Sequence, residues 1–224
     1  MQIELSAFLC QRRKNITSWD DNSPMNLKLA ELLNEYGIKA TFYICAEHDN
    51  FGNTFEKSGA PKIRAMGFEI GSHSTTHPDL TKTSDLAYEV LLSKRKLEAR
   101  LNRTVKCFCY PYDLYDERVK GMVKSAGYKF ARTANHTHLS LPEDPYECPV
   151  TLHASNHSPL QATKLILSSA ISPLSIFDWK RRAISIFKKG LKRGGVWHLY
   201  GHSWEIEKHK YWKRLEEVLK HVSG

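Results

Sequence analysis

Residues 16–45, ITSWDDNSPMNLKLAELLNEYGIKATFYIC, hold one complete strand–helix–strand unit. Ile16, Thr17, Ser18 and Trp19 make a short strand candidate that ends at Asp20-Asp21. Pro24 suits a helix start, because its missing N–H falls where a helix has no internal partner for one. Leu29, Leu32, Leu33 and Tyr36 recur at helical spacing over 25–36, and Gly37 stops the helix. Residues 39–45 (KATFYIC) are β-branched and aromatic, which predicts a strand.

The same alternation continues along the chain. Residues 61–66 read as a short helix closed by Gly67, and 68–72 as a strand. Ser84 is placed to cap a long helix reaching about Leu101. A strand over 105–110, a helix over 116–126 ending at Gly127, and a strand over 128–132 follow. After an irregular middle come helices near 160–170 and 178–191, a strand over 196–200 and a last helix over 208–222. No internal repeat, long linker or domain boundary is visible, so one domain over 1–224 is expected. Repeated strand–helix units predict an α/β fold with a parallel sheet and helices outside it, open or closed into a barrel. In such folds the chemistry gathers at the C-terminal ends of the strands.

Composition narrows the class. A chain of 224 residues with 41% hydrophobic and 11% aromatic residues is not a disordered one. It has no run of about 18 apolar residues, so no transmembrane helix is predicted. The start, MQIELSAFLCQRR, lacks a basic n-region and does not read as a signal peptide. Five cysteines without a C-x-x-C pair argue against a disulfide framework and for a reducing cytoplasm. The net charge is +9, and +7 of it lies from Asp178 onward. That basic segment is a solvated surface or an anionic contact such as a membrane face. Its helix over 178–191 carries a stripe of Ala183, Ile184, Phe187 and Leu191 that suits packing on a barrel. No motif supports nucleic-acid binding.

Four polar clusters sit at strand ends: Asp20-Asp21, His73 to His77, Tyr110-Pro111-Tyr112, and His198 to His202. Two His four apart face one way if their segment makes a helical turn, and neutral imidazoles ligate Zn and similar ions. A surface or capping pair explains the same spacing. Adjacent carboxylates after a strand equally serve as a helix cap, or as one metal ligand beside one base. The placement of all four at equivalent strand ends says more than any one of them.

These residues resemble a known family. Ser-Trp-Asp-Asp-Asn (18–22), His-Ser-Thr-Thr-His (73–77), Tyr-Pro-Tyr (110–112) and Gly-His-Ser (201–203) follow the motif order of the NodB-homology polysaccharide deacetylases, carbohydrate esterase family 4. The resemblance spans about residues 16–204. It implies a distorted (β/α) barrel and metal-dependent removal of acetyl groups from amino sugars. It implies Asp20 as general base and Asp21, His73 and His77 as metal ligands. It implies the backbone N–H of Tyr112 in an oxyanion hole and His202 as general acid. Zn2+ is the default ion, with Fe, Co, Mn or Ni also suited to the ligand set.

The pattern departs from the family in places. An Arg expected two residues before Pro111 is replaced by Cys109, and Arg132 on the next strand is the candidate substitute for holding Asp20. Asp113 stands where a Gly usually follows Pro-Tyr, and Asn22-Ser23-Pro24 replaces the usual Gly-Pro after the paired Asp. His198 is expected deeper in the barrel than His202, and Trp204 either walls a sugar site or packs in the core. His136, His138, His153 and His157 read as loop or surface residues.

The expected partner is an acylated amino sugar, lipid-linked or nucleotide-linked, such as a lipopolysaccharide or capsule precursor, handled in the cytoplasm or at the membrane face. Two rivals stand beside this reading. One is a C–N hydrolase of a small non-sugar amide, and the other is a carbohydrate-binding relative without catalysis.

Overall fold

The computed structural model describes residues 15–135, 139, 142–156, 163, 167, 172–193 and 196–223. The unit read first is present as β1 (Asn15–Asp20), α1 (Asn26–Glu35) and β2 (Ala40–Ile44), with Gly37 at φ +61° ending the helix. Then come α2 (Ala60–Ala65), β3 (Glu69–Ser72), α3 (Ser93–Leu101), β4 (Cys107–Cys109), α4 (Glu117–Ser125) and β5 (Phe130–Arg132). Asp116 caps α4 by accepting the Val119 N–H at 2.8 Å. The chain closes with β6 (Leu152–His153), α5 (Trp179–Arg193), β7 (Trp197–His202), α6 (Ser203–Lys208) and α7 (Trp212–Val222).

Among the described residues seven strands form one parallel sheet, in the order β5-β4-β3-β2-β1-β7-β6. Residues 145–154 join the two edges. Cys148 N–H donates to Ala131 O at 2.8 Å beside β5, while Ala154 N–H donates to Tyr200 O at 2.7 Å beside β7. The strand–helix alternation left the sheet open or closed; it is curled, with helices outside it, as the distorted barrel that the resemblance implied. Its C-terminal strand ends share one rim, with Asp20 in register with both Tyr43 and His202. Helix faces cover the sheet through Leu29 and Leu33 of α1, Trp179, Ala183 and Ile186 of α5, and Leu215 and Val218 of α7. The stripe of α5 is thus a packing face, and Leu191 lies outside the residues whose side chains are described. Among the described residues no helix is long and apolar enough to cross a membrane.

Several local readings need correction. The helix placed over 84–101 begins as a π-helix (Ala87–Leu92), and Asp85 rather than Ser84 accepts an N–H of its first turn, from Tyr88 at 2.9 Å. The helix read over 208–222 begins only at Trp212, because Lys210 takes φ +55° just before it, and α6 ahead of that turn was not read. The irregular middle contains β6, too short for periodicity to reveal. The helix read near 160–170 falls almost wholly outside the described residues.

Candidate active site

The strand-end clusters converge at the rim. Asp20 ends β1, and Asp21 follows at φ +74°, a left-handed backbone that turns its carboxylate away from its neighbour's. Asn26 Nδ2 donates to Asp21 O at 2.8 Å, and Asn22 ties the same turn to Cys45 O and Asn53 O. Asn22 and Asn26 thus fix this turn by hydrogen bonds.

His73 and His77 face one point without a helical turn between them. The segment is a bend with Ser74 and His77 at positive φ. Buried Glu89, carried on the π-helix, accepts the N–H groups of Thr75 and Thr76, both at 3.0 Å. Ser74 Oγ accepts the His77 N–H at 2.9 Å. A carboxylate under the bend brings the two imidazoles together in place of a helical turn, and nothing local in the sequence marked Glu89.

The three candidate ligands meet closely. Asp21 Oδ1 lies 3.4 Å from His77 Nε2 and 3.8 Å from His73 Nε2, and the two Nε2 atoms are 3.1 Å apart. His73 Nδ1–H donates to Cys109 O at 2.9 Å, which leaves its Nε2 lone pair bare. Burial, then His77 beside it, drops His73 to about 3, so it is neutral at physiological pH. Asp21 Oδ1 is buried with no hydrogen-bond partner. An orphaned carboxylate oxygen facing two imidazole nitrogens fits a divalent ion. Burial raises the Asp21 carboxyl above its ordinary range, against the pull of His202 and His77.

Asp20 lies on the other side of this point. Burial pushes its carboxyl up, but Arg132, His73 and His202 bring it below its ordinary value. Arg132 is buried and donates through Nη2 to Asp20 Oδ2, so it is not a surface residue. Cys109 lies beside this contact, with its Sγ 2.7 Å from Arg132 Nη2 and 3.8 Å from Asp20 Oδ2. The guanidinium also lies over the rings of Tyr200 and Tyr43, at 4.9 and 5.3 Å.

His202 Nε2 lies 3.9 Å from Asp20 Oδ2, and its Nδ1–H donates to Glu205 Oε2 at 2.7 Å. Burial lowers the imidazole, but Glu205 first, then Asp20 and Asp21, more than offset this, and the net shift is upward. His153 Nε2 is 2.7 Å from the same Glu205 oxygen, and its ring stacks on Tyr200 at 4.6 Å. His153 is therefore part of the site rather than a loop residue. His136, His138 and His157 lie outside the described residues. His198 sits deeper, with Nε2 2.8 Å from Ser18 Oγ.

Tyr112 adopts φ +56° in the turn after β4, and its ring, 54% exposed, meets His77 edge-on at 4.5 Å. Across the rim Trp204 lies between His202 at 5.3 Å and Phe51 at 4.9 Å, the latter 55% exposed. The point where Asp21, His73 and His77 meet is thus flanked by exposed aromatic surfaces.

A family model described as polysaccharide deacetylase matches residues 11–131. The chain belongs to the polysaccharide deacetylase family. Solved structures carry the likeness in fold across the barrel. A polysaccharide deacetylase from Bacillus cereus is 23% identical, with 61% of this chain and 46% of that one covered and a TM-score of 0.53. This chain thus matches less than half the length of that deacetylase. A family 4 carbohydrate esterase from Streptomyces lividans, solved with acetate, is 15% identical over 95% of this chain and 86% of that one, TM-score 0.55. A mutant of a family 4 pseudoenzyme with restored activity is 16% identical over 94% and 63%, TM-score 0.57. These likenesses concern the fold.

Proposed function

We propose that the protein is a metal-dependent hydrolase that removes N-acetyl groups from an amino sugar of a cell-surface polysaccharide or its precursor. The observation that carries this reading is the meeting of Asp21, His73 and His77 at one point, with Asp20 and His202 beside it. Asp21 Oδ1, His73 Nε2 and His77 Nε2 would hold the ion, with Zn2+ the default and Fe, Co, Mn or Ni as alternatives. A divalent ion there supplies a Lewis acid that polarises the scissile carbonyl and lowers the pKa of the attacking water.

The chain's own groups divide the proton work. Asp20, kept ionised by Arg132, accepts the proton of the water. The Glu205 carboxylate, accepting from Nδ1–H, favours the charged imidazolium of His202, whose Nε2 proton goes to the leaving amine. Proton donation matters because an amide anion is a very poor leaving group. The Tyr112 backbone N–H is assigned to the developing oxyanion. Exposed Phe51 and Tyr112, with Trp204 beneath Phe51, offer apolar faces on which a sugar ring can lie. The Arg132–Asp20 pair favours catalysis over a binding-only relative, since the base keeps a cation although Cys109 stands at the family's Arg position.

Acetate release tests this. Zn2+- or Co2+-loaded protein is offered N-acetylated amino-sugar oligomers, a nucleotide-linked and a lipid-linked N-acetyl sugar, and linear and cyclic non-sugar amides. Release from a sugar, abolished in Asp20→Asn with metal content unchanged, is expected. Turnover of the non-sugar amides alone, or full activity of Asp20→Asn, would overturn the reading.

A further inference from the structure

The first turn of α6 holds Asp21 from two directions. Ser203 Oγ donates to Asn26 Oδ1 at 2.6 Å, and Asn26 holds the Asp21 carbonyl. Trp204 Nε1–H donates to Asp21 Oδ2 at 2.9 Å. α6 follows β7 directly, Ser203 succeeding His202, and β7 is paired in register with β1. The indole is thus fixed relative to the strand end that carries Asp21, and it does not depend on a loop. The strained backbone of Asp21 persists because these contacts over-determine it.

The hydrogen bond divides the carboxylate. An indole N–H donates and cannot accept. It occupies Oδ2, while Oδ1 has no hydrogen-bond partner and faces both imidazoles. Resting on the metal-dependent reading above, we propose that Trp204 is a positioning residue of the metal centre, tying one Asp21 oxygen so that the carboxylate meets the ion through the other alone. Outer-shell partners of metal ligands are worth about 10–100-fold in metal affinity. The packing role of the ring is separable, because Phe at this position keeps an aromatic, if smaller, ring beside Phe51 and His202 and removes the donor.

The test uses the full chain and Zn2+ or Co2+ alone as ligand. Affinity is measured by competition with a chromophoric chelator, and the Co2+ visible spectrum reports coordination. Trp204→Phe is expected to weaken binding by about 10–100-fold and to change the Co2+ bands. Phe51→Leu, which removes a packing partner and keeps the N–H, is expected to leave both unchanged. Unaltered affinity and spectrum in a folded Trp204→Phe would overturn the proposal. Should that variant not fold, the wild-type indole N–H resonances decide. Among the five Trp, that of Trp204 must move most on Zn2+ addition, and a stationary Trp204 signal defeats the proposal. Wild-type protein that binds no ion would defeat the metal-dependent reading itself and this inference with it. A variant that binds as well as a metal-binding wild type defeats only this inference.

Discussion

Replacing Arg132 with Met should leave a buried carboxylate without its cation, and the cost should depend on pH in a defined direction. Asp20 and Arg132 are 5% and 3% exposed at their side chains, and their contact is the main opposition to the burial that pushes Asp20 upward. Breaking a buried pair by removing one partner costs about 3–5 kcal/mol. In the wild type the folded-state value of Asp20 is below its unfolded one. Its contribution to stability is therefore complete above the unfolded value near 3.8 and is lost only in stronger acid. In Arg132→Met burial is opposed only by His73 and His202, so the folded-state value rises above the unfolded one. The folded variant then holds a proton that the unfolded chain has released. Its stability should fall as pH rises from about 4, by up to about 1.4 kcal/mol per pH unit, until Asp20 ionises in the folded state. Urea unfolding of the metal-free proteins between pH 5 and pH 8 reads this out. The deficit of the variant should shrink toward acid. A deficit independent of pH, or none at pH 8, would refute the argued role of Arg132.

Three further outcomes are expected. Glu205→Gln removes the carboxylate that holds the His202 imidazole up, so the alkaline limb of the pH–rate profile should move to lower pH, with metal affinity retained. Glu89→Ala strands the buried Thr75 N–H and should cost about 1–3 kcal/mol by denaturant unfolding, with weakened metal binding as the 73–77 bend loosens. Gly71→Ala would place a Cβ 2.5 Å from the Tyr43 ring and 2.9 Å from Cys107 Sγ, and should destabilise by about 1–3 kcal/mol in the same assay.

The parallel sheet with outer helices was legible because most of its strands and helices carry local signals. The runs around Phe42 and Ile70 and the leucine spacing of α1 report burial that the fold then realises. The position of each cluster at a strand end could be read as well, since parallel strands bring those ends to one rim. What escaped depends on contacts between distant segments. Trp204 meets Asp21 across 183 positions, and Glu89 supports a bend that precedes it by 13. Neither has a periodicity or spacing to mark it. His153 looked like a loop residue because β6 is two residues long and is defined only by its pairing with β7. Arg132 could be suspected from the strand it ends, but its burial against Asp20 belongs to the folded barrel.

The central claim is that one divalent ion sits among Asp21, His73 and His77. Anomalous diffraction from crystals grown with Zn2+ tests it most directly. The account expects a single strong peak about 2.0–2.2 Å from Asp21 Oδ1 and from both imidazole Nε2 atoms. A peak at Glu205 between His153 and His202 instead, or none at the rim, would contradict it.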